Sequence, residues 1–159
     1  MVVLGIDPGT VRVGYGVIRQ EGGDYSHVSS GLFSITETDL SCRLLCLDRE
    51  LDILLKKVRP EIAGVEQVYF YKNEKTAISV AHARGVILCG LARYGIPVIH
   101  LSPPEVKLGV TGSGRADKAS VAKMVEQFLG LTMKGKIDDV TDALAVAIVA
   151  SGRRREFLS

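Results

Sequence analysis

The opening of the chain reads as strands. Val2 to Ile6 is an unbroken apolar run that stops at Asp7-Pro8-Gly9-Thr10, the pattern of a buried strand closed by a proline and glycine turn. Arg12 to Arg19 predicts a second strand, and the Gly14-Tyr15-Gly16 inside it leaves room for another backbone or a ligand to approach closely. Gly22-Gly23 marks the next turn and Tyr25 to Ile35 the third strand, so the sheet is expected to begin antiparallel.

The period then changes. Leu40, Leu44, Leu47, Leu51, Leu54, Leu55 and Val58 recur at helical spacing up to Arg59-Pro60. Ile62-Ala63-Gly64-Val65 follows and runs straight into Glu66, as expected of a crossover helix leading to a buried parallel strand. Glu74 to Arg93 predicts a second helix with Ala77, Ala81, Gly85 and Leu88 on one ridge, stopped by Gly95. Small residues on that ridge permit close helix contact, either with the protein's own sheet or with another molecule. Pro97 to Leu101 predicts a further short strand, and Pro103-Pro104 opens a helix. The glycine-rich loop Thr111-Gly112-Ser113-Gly114-Arg115 leads to a helix over Asp117 to Leu129. A last helix starts near Asp138, carries Leu144, Ala147 and Ile148 inward, and ends in Arg153-Arg154-Arg155. No repeat, linker or low-complexity segment interrupts this order.

At 159 residues and 47% hydrophobic, the chain is expected to bury one core as a single domain over 1–159. No apolar run approaches the length of a membrane span, and Met1-Val2-Val3-Leu4-Gly5 lacks the features of a signal peptide, so a soluble, cytoplasmic protein without membrane partners is expected. Cys42, Cys46 and Cys89 are an odd set without histidines at zinc spacing, and are read as reduced residues lining the core. A net charge of +2 permits a nucleic-acid partner without arguing for one. If four of the 18 acids are sequestered in one site with metal, the remainder faces 20 Lys and Arg, which suits a polyanion gripped around an acidic centre.

Candidate chemistry lies in four acids. Asp7 and Glu66 each end a buried strand, and adjacent parallel strands are only about 4.8 Å apart, close enough for both to reach one metal. Asp139 and Asp142 stand three apart on one face of the last helix. Oxygen ligands alone suit magnesium or manganese rather than zinc. Two cations held by several carboxylates supply the activated water and the charge relief that phosphodiester hydrolysis needs. Each acid also has an ordinary reading: Asp7 as a turn residue, Glu66 as a strand-end charge, Asp138 or Asp139 as an N-cap. Spacing does not choose between Asp138 and Asp139, because Asp138 lies four residues before Asp142.

Gly5-Ile6-Asp7-Pro8-Gly9, Gly14-Tyr15-Gly16, Glu66-Gln67-Val68-Tyr69, Lys72-Asn73, Ala83-Arg84-Gly85 and Asp139-Val140-Thr141-Asp142-Ala143-Leu144-Ala145 together resemble the RuvC family of bacterial Holliday-junction resolvases, in order over almost the whole chain. The resemblance implies an α/β, RNase H-like fold, a mixed five-stranded sheet flanked by helices. It also implies a homodimer that makes paired nicks in four-way junction DNA with Mg2+, for which Mn2+ substitutes, two ions to a site. It selects Asp139 with Asp142 and leaves Asp138 as the expected helix cap. Lys107 and Lys118 match basic positions near the scissile phosphate, Lys118 at a helix N-terminus suited to a phosphate. Tyr69 fills a position where the family often has phenylalanine and is expected to stack on unpaired bases; the ordinary alternative for Tyr69-Phe70-Tyr71 is that at least one of them, Phe70 foremost, caps the core. Lys72, Asn73, Arg84 and Arg115 complete the expected DNA contacts. Arg153 to Arg155 are read either as backbone contacts or as a solvated tail. Membership further implies cooperation with the RuvA and RuvB branch-migration proteins.

Two other classes fit parts of the sequence. Asp7-Pro8-Gly9-Thr10 also resembles the phosphate-binding turn of actin-like and sugar-kinase ATPases, but those need two such domains and this chain has the length of one. A DNA-binding scaffold with a degenerate site is disfavoured by the intact acids.

Overall fold

The computed structural model describes residues 1–9, 11–68, 74–133, 135 and 137–153, with backbone alone at 74–76. Three strands come first: β1 (Val2–Asp7), β2 (Gly14–Glu21) and β3 (Asp24–Leu32). Helix α1 (Leu40–Val58), strand β4 (Ile62–Glu66), helix α2 (Glu74–Arg93) and strand β5 (Val98–Leu101) follow. Helices α3 (Pro103–Thr111), α4 (Lys118–Leu129) and α5 (Asp138–Gly152) complete the described chain. The sheet runs β3-β2-β1-β4-β5, antiparallel on the β1, β2, β3 side and parallel across β1, β4 and β5. The antiparallel start and the parallel crossover expected from the hydrophobic pattern are both present.

Strand alternation divides the core in two. Leu4 and Ile6 of β1 and Ala63 and Val65 of β4 face α1 and α2, packing with Leu47, Leu51, Leu55, Ile87 and Leu91. Val3 and Ile62 face the other side, toward α3, α4 and α5. By the same alternation Gly5 and Asp7, and Gly64 and Glu66, present themselves to the α5 side. Helix α5 is buried on every side from Val140 to Ser151 except at Asp142.

That helix lies unusually near the sheet because glycines face it. A Cβ on Gly5 would collide with the Ala143 carbonyl, and one on Gly64 would come within 2.7 Å of the Ala150 methyl. Gly14 and Gly16 of β2 meet Asp139 and Leu144 in the same way. Gly5 and Gly64 are direct partners in the β1–β4 register, so together they open one continuous groove.

Helix ends are set locally. Arg59 and Gly112 close α1 and α3 in the left-handed conformation, and Asp117 caps α4 by accepting from the Ser120 N–H at 2.8 Å. Ser102 and Glu105 form a reciprocal capping box at α3. Arg153, at the end of α5, donates to the outer oxygen of Glu105 at 2.9 Å and so ties α5 to α3. The two hydroxyl and N–H bonds from Ser102, followed by Arg153, hold the Glu105 carboxyl down at about 2.

Some expectations are corrected. Strand β2 starts at Gly14 rather than Arg12, because Arg12 lies against Gly9, where a Cβ would strike the Arg12 carbonyl. Strand β3 ends at Leu32, past which Phe33 and Ile35 turn away while Phe33 N–H still reaches the Val13 carbonyl at 3.0 Å. The cysteines do not line the core: Cys42 and Cys89 are exposed and Cys46 is half-buried, because the leucines of α1 and the Ala83, Ile87, Leu91 stripe of α2 occupy the inward faces. On α2, Ala77 is buried, but Ala81 and Gly85 of the small-residue ridge are exposed. Asp138 is not the cap of α5: Ile137 stands at the N-cap without a side-chain bond, and Asp138 is the first helical residue.

The groove predicts that Gly5→Ala destabilises the protein by about 3 kcal/mol or more in urea unfolding, while Gly23→Ala, with open space around it, stays within about 0.5 kcal/mol. Equal effects would contradict the close docking of α5. Because the Glu105 carboxyl is depressed from 4.5 to about 2, its stabilisation is complete above 4.5 and is lost as pH falls toward 2. Acid titration of unfolding should therefore show a steeper loss in that window for the native chain than for Glu105→Gln, and parallel curves would count against the Glu105 clamp.

Candidate active site

Strands β1 and β4 are neighbours and both stop at an acid, Asp7 and Glu66, on the face covered by α5. The first turn of α5 crosses their ends. Gly14, opposite Asp7 in the antiparallel register, is the residue against which the Asp139 backbone rests. Docking of α5 in the glycine groove thus delivers Asp139 and Asp142 to the two strand ends, and the acids sense one another. Asp7 is pushed up to about 7, first by burial and then by the charges of Asp142 and Asp139. Glu66 is pushed up to about 8 by burial and then by Asp7 and Asp142. The Asp142 carboxyl is also raised, chiefly by burial, with Lys118 opposing.

Three cations border this negative cluster. Lys118, in the first turn of α4, lies 3.0 Å from the Asp138 carboxylate, and its charge partly offsets the repulsion at Asp7, Glu66 and Asp142. Lys107 of α3 acts likewise on Glu66 and Asp142. Arg12, in the β1–β2 connection, places Nε 3.6 Å from Asp139 Oδ2. Like charges gathered in a half-buried setting stay ionised together only if cations neutralise them.

The donor set is all oxygen, which suits a hard divalent ion. Among the described residues, however, no three acidic, histidine or cysteine side chains converge tightly enough to hold an ion as they stand. The fit is therefore one of chemistry and electrostatics, and an ion would have to draw the carboxylates together, Asp139 away from its ion pair with Arg12.

Residues 3–150 match the family model described as crossover junction endodeoxyribonuclease RuvC. The chain belongs to the RuvC family. The RuvC of Fusobacterium nucleatum is 46% identical over 150 residues, covering 93% of this chain and 78% of that protein. The RuvC of Ruminiclostridium cellulolyticum is 42% identical over 156 residues, covering 98% and 94%. In three dimensions the chain is similar to Thermus thermophilus RuvC in complex with a Holliday junction substrate, with a TM-score of 0.90, 31% identity, and 99% and 96% of the two chains covered. The yeast mitochondrial Holliday junction resolvase Ydc2 shares the fold at a TM-score of 0.64 and 16% identity. The RNase H-like, mixed five-stranded architecture expected from the family resemblance is the one observed.

Of the positions singled out in the sequence, Asp7, Glu66, Asp139, Asp142, Lys107 and Lys118 lie at this one centre. Arg115 is exposed on the turn between α3 and α4. Arg84 points instead to the backbone of Glu66 and to His100. Tyr69, Lys72 and Asn73, with Phe70, Arg154 and Arg155, lie outside the described residues. Sequence reasoning missed Arg12, which it placed at the start of a strand and which lies beside Asp139. It also missed His100, whose only signal was a polar residue inside a buried strand.

Mutual repulsion has a measurable cost. A carboxyl raised to about 7 binds its proton more tightly folded than unfolded, so its contribution to stability is full at low pH and is lost as pH rises through 7. Asp7→Asn, which cannot ionise, should be more stable than the native chain by about 2 kcal/mol at pH 8 without divalent ions, the gain fading toward pH 5. Thermal melts at the two pH values measure this, and a destabilised Asp7→Asn at pH 8 would contradict it.

Proposed function

We propose that this chain, as a single RNase H-like domain over residues 1–159, is the endonuclease that resolves Holliday junctions by paired, symmetric hydrolysis of DNA phosphodiesters in recombination and repair. The observation that carries the reading is the delivery of Asp139 and Asp142 by α5 to the ends of the strands that carry Asp7 and Glu66. These four acids are the proposed metal ligands and catalytic residues. They would hold two Mg2+ ions, or Mn2+ in their place, which would supply an activated water and charge relief for the leaving oxygen. Lys107 and Lys118, already drawn toward the acid cluster, are proposed as the catalytic cations. Lys118, in the first turn of α4, meets a phosphate with both its charge and the helix N-terminus. Asp138, paired to Lys118, holds that lysine at the rim rather than binding metal. The exposed Arg115 suits a contact to the DNA backbone, and Tyr69, Lys72 and Asn73 are proposed DNA contacts on the family resemblance.

Two symmetric nicks in a two-fold junction require a two-fold pair of active sites. Helix α2 supports this, since Ala81 and Gly85 are exposed beside Ile78, and small residues flanking an apolar side chain favour close pairing of copies. Partnership with RuvA and RuvB, and a place in the bacterial cytoplasm with the chromosome, are proposed on the family resemblance. No helix among the described residues is long and apolar enough to cross a membrane.

The test is cleavage of a labelled four-way junction beside a matching linear duplex and an RNA–DNA hybrid, with Mg2+ and then with EDTA. Symmetric nicks confined to the junction and lost with EDTA are expected. Alanine at Asp7, Glu66, Asp139 or Asp142 should abolish them while junction binding persists, and Lys118→Ala should slow them by about 100-fold. Junction binding without cutting by the native chain would favour a scaffold; cutting of duplex or hybrid alone would overturn the substrate.

A further inference from the structure

The end of β4 is held from behind. The β1–β4 ladder stops at Ile6 and Val65, so Glu66 lies one residue past its last pair with β1. On the β5 side, the Gln67 N–H reaches the Leu101 carbonyl at 2.8 Å. The Glu66 side chain is on the α5 face, whereas α2 covers the opposite face of the sheet. From α2, half-buried Arg84 donates through Nε to the Glu66 carbonyl oxygen at 3.2 Å. Its NH2 group lies 2.7 Å from Nδ1 of His100 on β5. A guanidinium only donates, so His100 accepts at Nδ1 and carries its proton on Nε2. Burial and the Arg84 charge both keep that ring below its ordinary pKa, in the neutral form that the bond needs.

We infer that Arg84, oriented by His100, is a positioning residue that fixes the backbone of Glu66 and thereby the direction of its carboxylate in the metal site. The geometry is specific: one guanidinium bridges the strand end that carries the acid and the neighbouring strand. A DNA contact, expected for Arg84 from the family, would require it to leave both partners. Groups that orient a metal ligand commonly change metal affinity by 10- to 100-fold when removed. This inference rests on the metal-site reading above.

Mn2+ binding to the DNA-free protein, followed by electron paramagnetic resonance, separates the two. Arg84→Leu should weaken Mn2+ binding by about 10-fold and leave junction affinity in EDTA unchanged. His100→Leu should weaken Mn2+ binding in the same direction, and the double variant should add little, since both changes break one linkage. His100→Asn should restore native affinity, because the asparagine Oδ1 stands where Nδ1 stood and accepts the same bond. Loss of junction affinity with unaltered Mn2+ binding in Arg84→Leu would overturn the inference in favour of a direct DNA contact. Unaltered Mn2+ binding in His100→Leu, or no recovery in His100→Asn, would also overturn it, and this pair carries the test if Arg84→Leu fails to fold. A native chain that binds no Mn2+ would instead overturn the metal site itself.

Discussion

Helix α5 can lie against the sheet only where side chains are missing from the strands beneath it. Gly5 and Gly64, paired across β1 and β4, and Gly14 and Gly16 on β2 supply that groove, and a methyl group at Gly5 would strike helix backbone rather than a movable side chain. Everything at the acid centre follows from this approach. Strand alternation turns Asp7 and Glu66 to the same face as those glycines, and the close helix brings its first turn over both strand ends. The apolar length of α5, buried on every side, stabilises an arrangement that its acidic end opposes.

That opposition is functional in character. Asp7 and Glu66 are raised to about 7 and about 8 because burial and their neighbours both disfavour charge, so at neutral pH the cluster holds protons or cations. Lys107, Lys118 and Arg12 answer part of the charge from the rim. In the proposed function, divalent ions would answer the rest, and the DNA backbone would meet a centre bordered by these cations. On the proposed function, stability is set against activity here, as it commonly is where like charges are gathered for chemistry.

Much of this was legible in the sequence because it depends on period and punctuation. The apolar runs ending in Asp7 and Glu66, the leucine spacing of α1, and Pro103-Pro104 at α3 each state their element directly. The spacing of Asp139 and Asp142 put them on one helix face, although choosing Asp139 over Asp138 needed the family pattern. What the sequence hid were contacts between residues distant along the chain. Cys42 and Cys89 looked like core residues because composition does not say which helix face the leucines take. Asp138 looked like a cap because its pairing with Lys118, 20 residues away, leaves no local trace. Arg84 and His100 meet only once α2 has packed across β4 and β5.

Anomalous diffraction from a crystal grown with Mn2+ would test the central claim most directly. The account predicts manganese between the carboxylates of Asp7, Glu66, Asp139 and Asp142, with Asp139 turned away from Arg12 and Asp138 still on Lys118. Manganese bound at Asp138, or a well-ordered crystal with no manganese touching Asp7 or Glu66, would contradict it.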